Sequence, residues 1–443
     1  MNKNTCNVTR RTKKKDAVKN AQKVIGNFIK KSGMFLKIIC SDSGQCIAFG
    51  KKIEEINNFF KGFTNFEYAI SPIKKIGNVS ANGFVKEIHY EKQGYNAYAI
   101  LKSSQTEEAD NLVYEYLVGE KYVNRIMKKY PCFLQTYGYY YYNSENSWKN
   151  MKKTEPLPKE ILKNLLLQNT INYKDACEKS KLASLLIQHI KNAKSISDFL
   201  NVNSYSNFIK FDLIYVLFII YHCLSSVSKS FTHYDLHGEN VLLYEPIKNK
   251  FIQYHYHYKN NTVLTFNSPY IPKIIDYGRS YFNNGNVSSK TIYDKLCNTK
   301  ECENCGEDFG FAWLDPNPMF HISSTHKNES HDLRLLNVIK NEIKEIPDLK
   351  PKDESFIVID KILNKVKYGV GIANRGNKMY GTIENTTNGK NSNKIFNVND
   401  AYESLKTAIE MPSLIDLNKK MYTDNNKLGN LHIYEDGRDM LYE

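Results

Sequence analysis

Apolar and polar residues alternate at period two in three stretches of the first half of the chain, and each predicts β-structure. Residues 33–49 (GMFLKIICSDSGQCIAF) read as a hairpin turning at Ser41 to Gly44. Residues 84–102 read as two strands around a turn at Gln93 and Gly94, and residues 133–142 as a tyrosine-rich strand whose rings pack. Between these, residues 51–63 carry Ile53, Ile56, Phe59 and Phe60 on one helical face, and residues 107–129 are also helical. Residues 145–182 are Lys- and Asn-rich and read as an irregular insertion with a helix at Lys159 to Leu167, before an apolar strand at Leu185 to Ile187.

Thereafter the period lengthens. Residues 205–229 predict a helix containing the longest apolar run, LIYVLFIIYHCL. At twelve residues (Leu213 to Leu224) it is too short to span a bilayer, and its all-round apolarity fits a core helix. Helices are also expected over 331–345, 354–367 and Val398 to Glu410, the last with Asp400 as a cap. Residues 283–328 lack periodicity, GNKMYGTIENTTNGKNSNK reads as a loop, and LHIYEDGRDMLYE as a hairpin turning at Asp436 and Gly437. No internal repeat is visible.

Composition changes this picture little. At 443 residues the chain is long enough for a two-lobed catalytic unit with extensions, and 41% hydrophobic content is ordinary for a globular protein. The 32 tyrosines and many Asn and Lys residues match the bias of an AT-rich genome. The net charge of +14 includes a run at Arg10, Arg11, Lys13, Lys14 and Lys15. Such a run can meet an anionic surface or an acidic partner, or be a solvated tail. It lacks interleaved aromatics and any reader motif, so nucleic acid is not an expected partner. Residues 1–25 are polar and basic, without a secretory signal. Nine cysteines, an odd number, then point to a reduced, intracellular setting. Cys297, Cys302 and Cys305 form C-x4-C-x2-C, with His321, His326 and His331 downstream. Three thiolates and one imidazole would suit structural zinc; one half-site fits unligated thiols in a long loop better.

The chemistry is concentrated in three short strings. FTHYDLHGENVLL places His233, Asp235 and Asn240 as H-x-D-L-x-x-x-N; IIDYGRS places Asp276 before an aromatic and a glycine; AILK ends a strand at Lys102. In this order they are the working parts of a protein-kinase-type phosphotransferase. Moving a phosphoryl group requires charge neutralisation and alignment. Asp276 and Asn240 offer hard oxygens to Mg2+, Asp235 would orient or deprotonate the attacking hydroxyl, and Lys102 would hold the inner phosphates of ATP. Lys102 needs an acidic partner on a helix. Glu120 has the more usual spacing to Pro131, but Glu115 lies in the apolar part of its segment and is preferred. Upstream, IGNVSANGFVKEI carries Gly77, Gly83 and Val85, with Ser80 where a middle glycine is expected of a phosphate-covering loop. Downstream, the backbone of Gln188 to Ile190 would meet adenine, with Asn192 and Asp198 as ribose contacts. His233 reads as a brace for its loop.

With these motifs the chain resembles the protein-kinase-like superfamily over roughly residues 76–340. GQCIAFG, NLVYEYLVG, YPCFLQTYG, HDLRLL and NLHIYEDG extend the likeness to the serine/threonine kinases of giant DNA viruses. The resemblance implies an α+β, bilobal fold: a small antiparallel β lobe with one helix, and a larger, mostly helical lobe, with ATP between them. It divides the chain into a flexible basic tail (1–24), an N-terminal extension (25–75), a small lobe (76–190) and a large lobe with an atypical activation segment and a C-terminal extension (191–443). It assigns the core roles to Lys102, Asp235, Asn240 and Asp276, and makes Asp332 a helix-start brace of the catalytic loop. A viral member would work in host cytoplasm or be packaged in the virion.

The departures are specific. Tyr234 replaces the catalytic-loop Arg that reads an activation-loop phosphate, and Tyr277 replaces Phe. His237 stands where protein kinases carry Lys, and the resulting D-L-H-x-x-N resembles aminoglycoside and choline kinases. FIQYHYHYKNNTVLTF lengthens the interval from Asn240 to Asp276, and no A-P-E motif follows. The leading expectation is transfer from ATP to a protein Ser or Thr hydroxyl. The alternatives are transfer to a small-molecule alcohol and a catalytically weak pseudokinase scaffold.

Overall fold

The computed structural model describes residues 39–40, 45–77, 83–104, 112–200, 205–296, 310–314, 319–344, 354–368, 372–375, 378–382 and 394–443. The architecture is mixed α+β. Six strands form one antiparallel sheet in the order Ala69–Ile76, Gly83–Lys92, Tyr95–Ser104, Ala183–His189, Thr136–Tyr142 and Leu165–Leu167. Gln93 and Gly94, at φ 51° and 82°, make the two-residue turn between the second and third strands. Two positive-φ residues give a hairpin turn the twist its strands require. Tyr95, Ala97, Ala99 and Leu101 are buried on one face. Strand alternation then turns Lys102 to the other face, opposite Val85 and Leu185.

The 145–182 stretch is more ordered than its composition implied. It holds a helix at Glu145–Lys152, capped by Ser144 accepting from the Ser147 N–H. The helix expected at Lys159 to Leu167 is instead a 3-10 turn, Lys159–Asn164, running into the strand Leu165–Leu167. The leucines there extend the sheet by pairing with Tyr140 to Tyr142, so tertiary pairing overrides their helical preference.

The helix Leu112–Val118 packs on this sheet. It continues through a π-helical turn, Gly119–Val123, into Asn124–Ile126. Gly119 is required by proximity, because a Cβ there would lie 2.0 Å from Thr136 Oγ1. Asn124 then clasps Thr136 from both sides, donating to its carbonyl (2.8 Å) and accepting from its N–H (2.9 Å). This fixes the height of the helix against the sheet.

After the sheet, helices alternate with short strands and hairpins. Residues 205–229 form two helices, Tyr205–Phe211 and Leu213–Val227, separated at Asp212. Phe218, Ile219, Ile220 and Tyr221 are all fully buried, each such burial contributing about 1.5–3 kcal/mol. The helix Val398–Ile409 packs alongside. Its cap is Asn397, which accepts from the Asp400 N–H (2.9 Å); Asp400, the expected cap, instead accepts from the Phe396 N–H. The insertion after Asn240 forms a hairpin, Phe251–His257 with Val263–Ser268. This pairs in parallel with Lys427–Tyr434, which pairs with Leu441–Tyr442 across a turn containing Gly437. Among the described residues no helix is long and apolar enough to cross a membrane.

At the N-terminal side, Ile39–Cys40 pairs with Cys46–Ile47; the expected turn at 41–44 and the basic tail lie outside the described residues. The helix Lys52–Phe59 buries Ile53. Cys46 and Cys177 each take part in a disulfide, a departure from the reduced state that an odd cysteine count suggested, while among the described residues Cys132 and Cys223 are free and buried.

Candidate active site

Strand register and helix placement bring the distant motif residues together. Lys102, at the end of its strand, donates from Nζ to Glu115 Oε2 at 2.8 Å and to Asp276 Oδ1 at 3.2 Å. Glu115 is almost fully buried, whereas Glu120 lies at the surface beside Lys121. The Lys102 charge, opposed by burial, holds the Asp276 carboxyl below the usual carboxylate range. Asp276 adopts φ 67°, a left-handed conformation that costs strain in most side chains and is tolerated by Asp. The neighbouring Tyr277 fixes it: its buried hydroxyl donates to the Ile274 carbonyl (2.7 Å) and accepts from the Leu134 N–H (3.2 Å).

The Asp235 loop lies against the same strand. Val241–Tyr244 pairs with Ile271–Ile274, and the Ile275 N–H donates to the Asn240 carbonyl at 3.0 Å. Asn240 Nδ2 donates to the Asp235 carbonyl (2.9 Å), so the amide oxygen is the atom left to face a cation. The loop is held from beneath by Asp332, which accepts from the N–H groups of His233 (2.7 Å) and Tyr234 (3.0 Å). Burial pushes the Asp332 carboxyl up to about 7, against the pull of these two donors. His233 Nε2 lies 2.9 Å from the Ile275 carbonyl, and its Nδ1 accepts from the Asp235 N–H (3.2 Å). That pattern defines one neutral tautomer, and burial lowers the imidazole's proton affinity accordingly.

Two cationic residues not anticipated from the motifs converge on the Asp235 carboxylate. Arg334 Nη1 donates to Oδ1, and Arg279 Nη1 lies 3.2 Å from Oδ2. His237 Nε2 is more distant, at 3.9 Å from Oδ1. No sequence signal singled out either arginine, although Arg279 directly follows Gly278 and Arg334 lies two positions beyond Asp332.

The segment beyond Ala183–His189 is clasped on two sides. Gln45 donates to the His189 carbonyl (2.9 Å) and accepts from the Lys191 N–H (3.0 Å). Glu87 bonds Lys191 Nζ at 2.6 Å and faces His189 Nε2 at 3.4 Å. The Gln188 side chain accepts from the Gln135 N–H, and Ile190 is buried. Ser195 Oγ accepts from the Asp198 N–H and caps the short helix Ile196–Leu200, and Asp198 accepts in return from the Ser195 N–H; Asn192 sits at φ 62° in the preceding turn. Gly77 follows one strand at φ 68° and Gly83 opens the next. A Cβ on Gly83 would lie 2.6 Å from the Ser103 carbonyl oxygen, so only glycine fits. Ser80 lies outside the described residues, as do Cys297, Cys302 and Cys305.

The donor set fits magnesium. Asp276 and Asn240 present one carboxylate and one amide oxygen from adjacent backbone, and Mg2+ takes one or two protein oxygens plus phosphates and water. Among the described residues no group of three or more His, Cys, Asp and Glu side chains is placed to hold a metal by itself. No family model matches the chain, and no curated protein matches it either.

Proposed function

We propose that this chain is an ATP- and magnesium-dependent phosphotransferase with a bilobal, protein-kinase-like fold, acting on Ser or Thr hydroxyls of a protein. One observation carries the reading: Lys102 Nζ sits between Glu115 and Asp276, at 2.8 and 3.2 Å, from three separate parts of the chain. An ion pair from a strand lysine to a helix glutamate, beside a metal-binding aspartate, is the arrangement phosphoryl transfer from ATP requires. The six-stranded sheet with its helix would be the small lobe, and the helices around Leu213–Val227 the large one.

On this reading Lys102 holds the inner phosphates, and Glu115 keeps the ammonium aimed. Asp276 and Asn240 would hold magnesium, which neutralises phosphate charge when bound. Asp235 orients the acceptor hydroxyl and receives its proton. The acceptor oxygen bonds to the γ-phosphorus as the bond to the ADP oxygen breaks, and that electron pair leaves with ADP. Asp332 and His233 fix the loop rather than move protons. The strings that resemble those of giant-virus kinases support a place among them on the same reading.

The test is transfer of labelled phosphate from ATP, with magnesium, to mixed proteins and to small hydroxyl compounds, by the wild type and by Asp276→Ala. Magnesium-dependent label on protein, lost in the variant, supports the proposal. Label only on a small compound moves the activity to small-molecule kinases. Nucleotide binding without transfer makes the chain a scaffold.

A further inference from the structure

Position 237 leaves a gap in the charge pattern of the site. Resembling kinases carry a lysine there, two residues after the catalytic aspartate, and this chain carries His237. Its Nε2 is 3.9 Å from Asp235, beyond hydrogen-bond range. Burial pushes the imidazole below its ordinary value; Asp235 opposes this, and the Arg334 charge adds to it. An imidazole so placed is a poorer cation than a free histidine.

A permanent cation reaches the same carboxylate from another element. The turn His331–Leu333 and the first residue of the helix Arg334–Lys344 lie beneath the loop. Asp332 takes two backbone N–H groups of the loop, and two positions on Arg334 takes the side chain of Asp235. Loop backbone and loop carboxylate are thus set by one rigid turn. Arg334 is only 16% exposed, whereas Arg279, on the other carboxylate oxygen, is 36% exposed and follows the Asp276 segment. The two oxygens are therefore unequal: Oδ1 is anchored from below by the more buried arginine, and Oδ2 meets the more exposed one.

We propose that Arg334 is a positioning residue for phosphoryl transfer, fixing the Asp235 carboxylate and supplying the charge that a lysine at 237 supplies in resembling kinases. This rests on the phosphotransferase reading above. In the step itself the hydroxyl proton passes to Asp235 Oδ2, the acceptor oxygen bonds to phosphorus, and the electron pair of the broken bond stays on ADP. Arg334 keeps Oδ1 occupied throughout, so that the second oxygen points at the hydroxyl. A guanidinium suits this task because it holds its charge at any working pH and has a fixed donor fork.

The experiment compares wild type, Arg334→Gln, Arg334→Lys and the double variant Arg334→Gln/His237→Lys. It measures kcat and KM for ATP, alongside the affinity for ADP and magnesium with and without aluminium fluoride, a mimic of the transferring phosphoryl. Arg334→Gln is expected to lower kcat about 10²-fold, the scale of losing one preorganised charged donor, with KM for ATP changed less than about threefold. It should also lose most of the extra affinity that fluoride gives the wild type. Adding His237→Lys should restore at least about tenfold of kcat, which a purely structural defect would not allow, and Arg334→Lys should lie between. An active wild type with Arg334→Gln within about threefold of its kcat overturns this inference alone, as does a loss that His237→Lys does not repair in a variant that melts like the wild type. A wild type that binds no ATP overturns both the inference and the reading beneath it.

Discussion

Lys102 is a strand-end lysine whose ammonium meets two carboxylates, and its neighbourhood decides which acidic residue matters. The sequence left Glu115 and Glu120 open because both lie on one helical segment at workable distances. What separates them is rotation about the helix axis, which spacing alone does not fix. Glu115 faces inward and Glu120 faces Lys121. Replacing Glu115 with Gln is therefore expected to lower kcat roughly tenfold or more, by freeing Lys102 from its aim. Glu120→Gln is expected to stay within about twofold. Steady-state rates of the two purified variants check this. Arg279 and Arg334 were less legible: nothing in a one-dimensional pattern says that residues 44 and 99 positions after Asp235 touch its carboxylate.

Elements with local signals are the ones sequence reading located. The Gln93–Gly94 turn, the apolar core helix and the Asp235 loop each announce themselves over a few residues. The edge strand Leu165–Leu167 and the parallel pairing of Phe251–His257 with Lys427–Tyr434 do not, because each depends on a distant partner. The Asp332 turn is where local and distant signals meet. Asp332→Ala would strand two buried N–H groups, at about 1–3 kcal/mol each. Urea unfolding is expected to show a loss of about 2–5 kcal/mol, with a fall in kcat as the loop loosens. By comparison, Asn397→Ala removes a helix cap that makes no bond to the Asp235 loop among the hydrogen bonds described, and should cost about 1 kcal/mol with a smaller fall in rate. Equal effects on rate would contradict the separation of roles.

At the scale of the whole molecule, the chain leaves the six-stranded sheet through residues 189–191, where Gln45 and Glu87 converge. Burial alone would raise the Glu87 carboxyl, but hydrogen bonds to His189 and Lys191 hold it down to about 2. A lowered carboxyl contributes stability that is present above its unfolded value near 4.5 and is lost as pH falls toward 2. The melting temperature of Glu87→Gln should accordingly fall less than the wild type's across that window, as thermal unfolding at several pH values would register. The proposal at this scale is that Lys102, Asp235, Asn240 and Asp276 serve one nucleotide. Titration calorimetry with magnesium and a non-hydrolysable ATP analogue addresses it without knowledge of the acceptor. The wild type should bind the analogue only with magnesium present, and both Lys102→Met and Asp276→Ala should weaken binding by at least about tenfold while keeping the wild-type melting temperature within a few degrees. A wild type that ignores the nucleotide, or binds it equally well after both substitutions, would contradict the account.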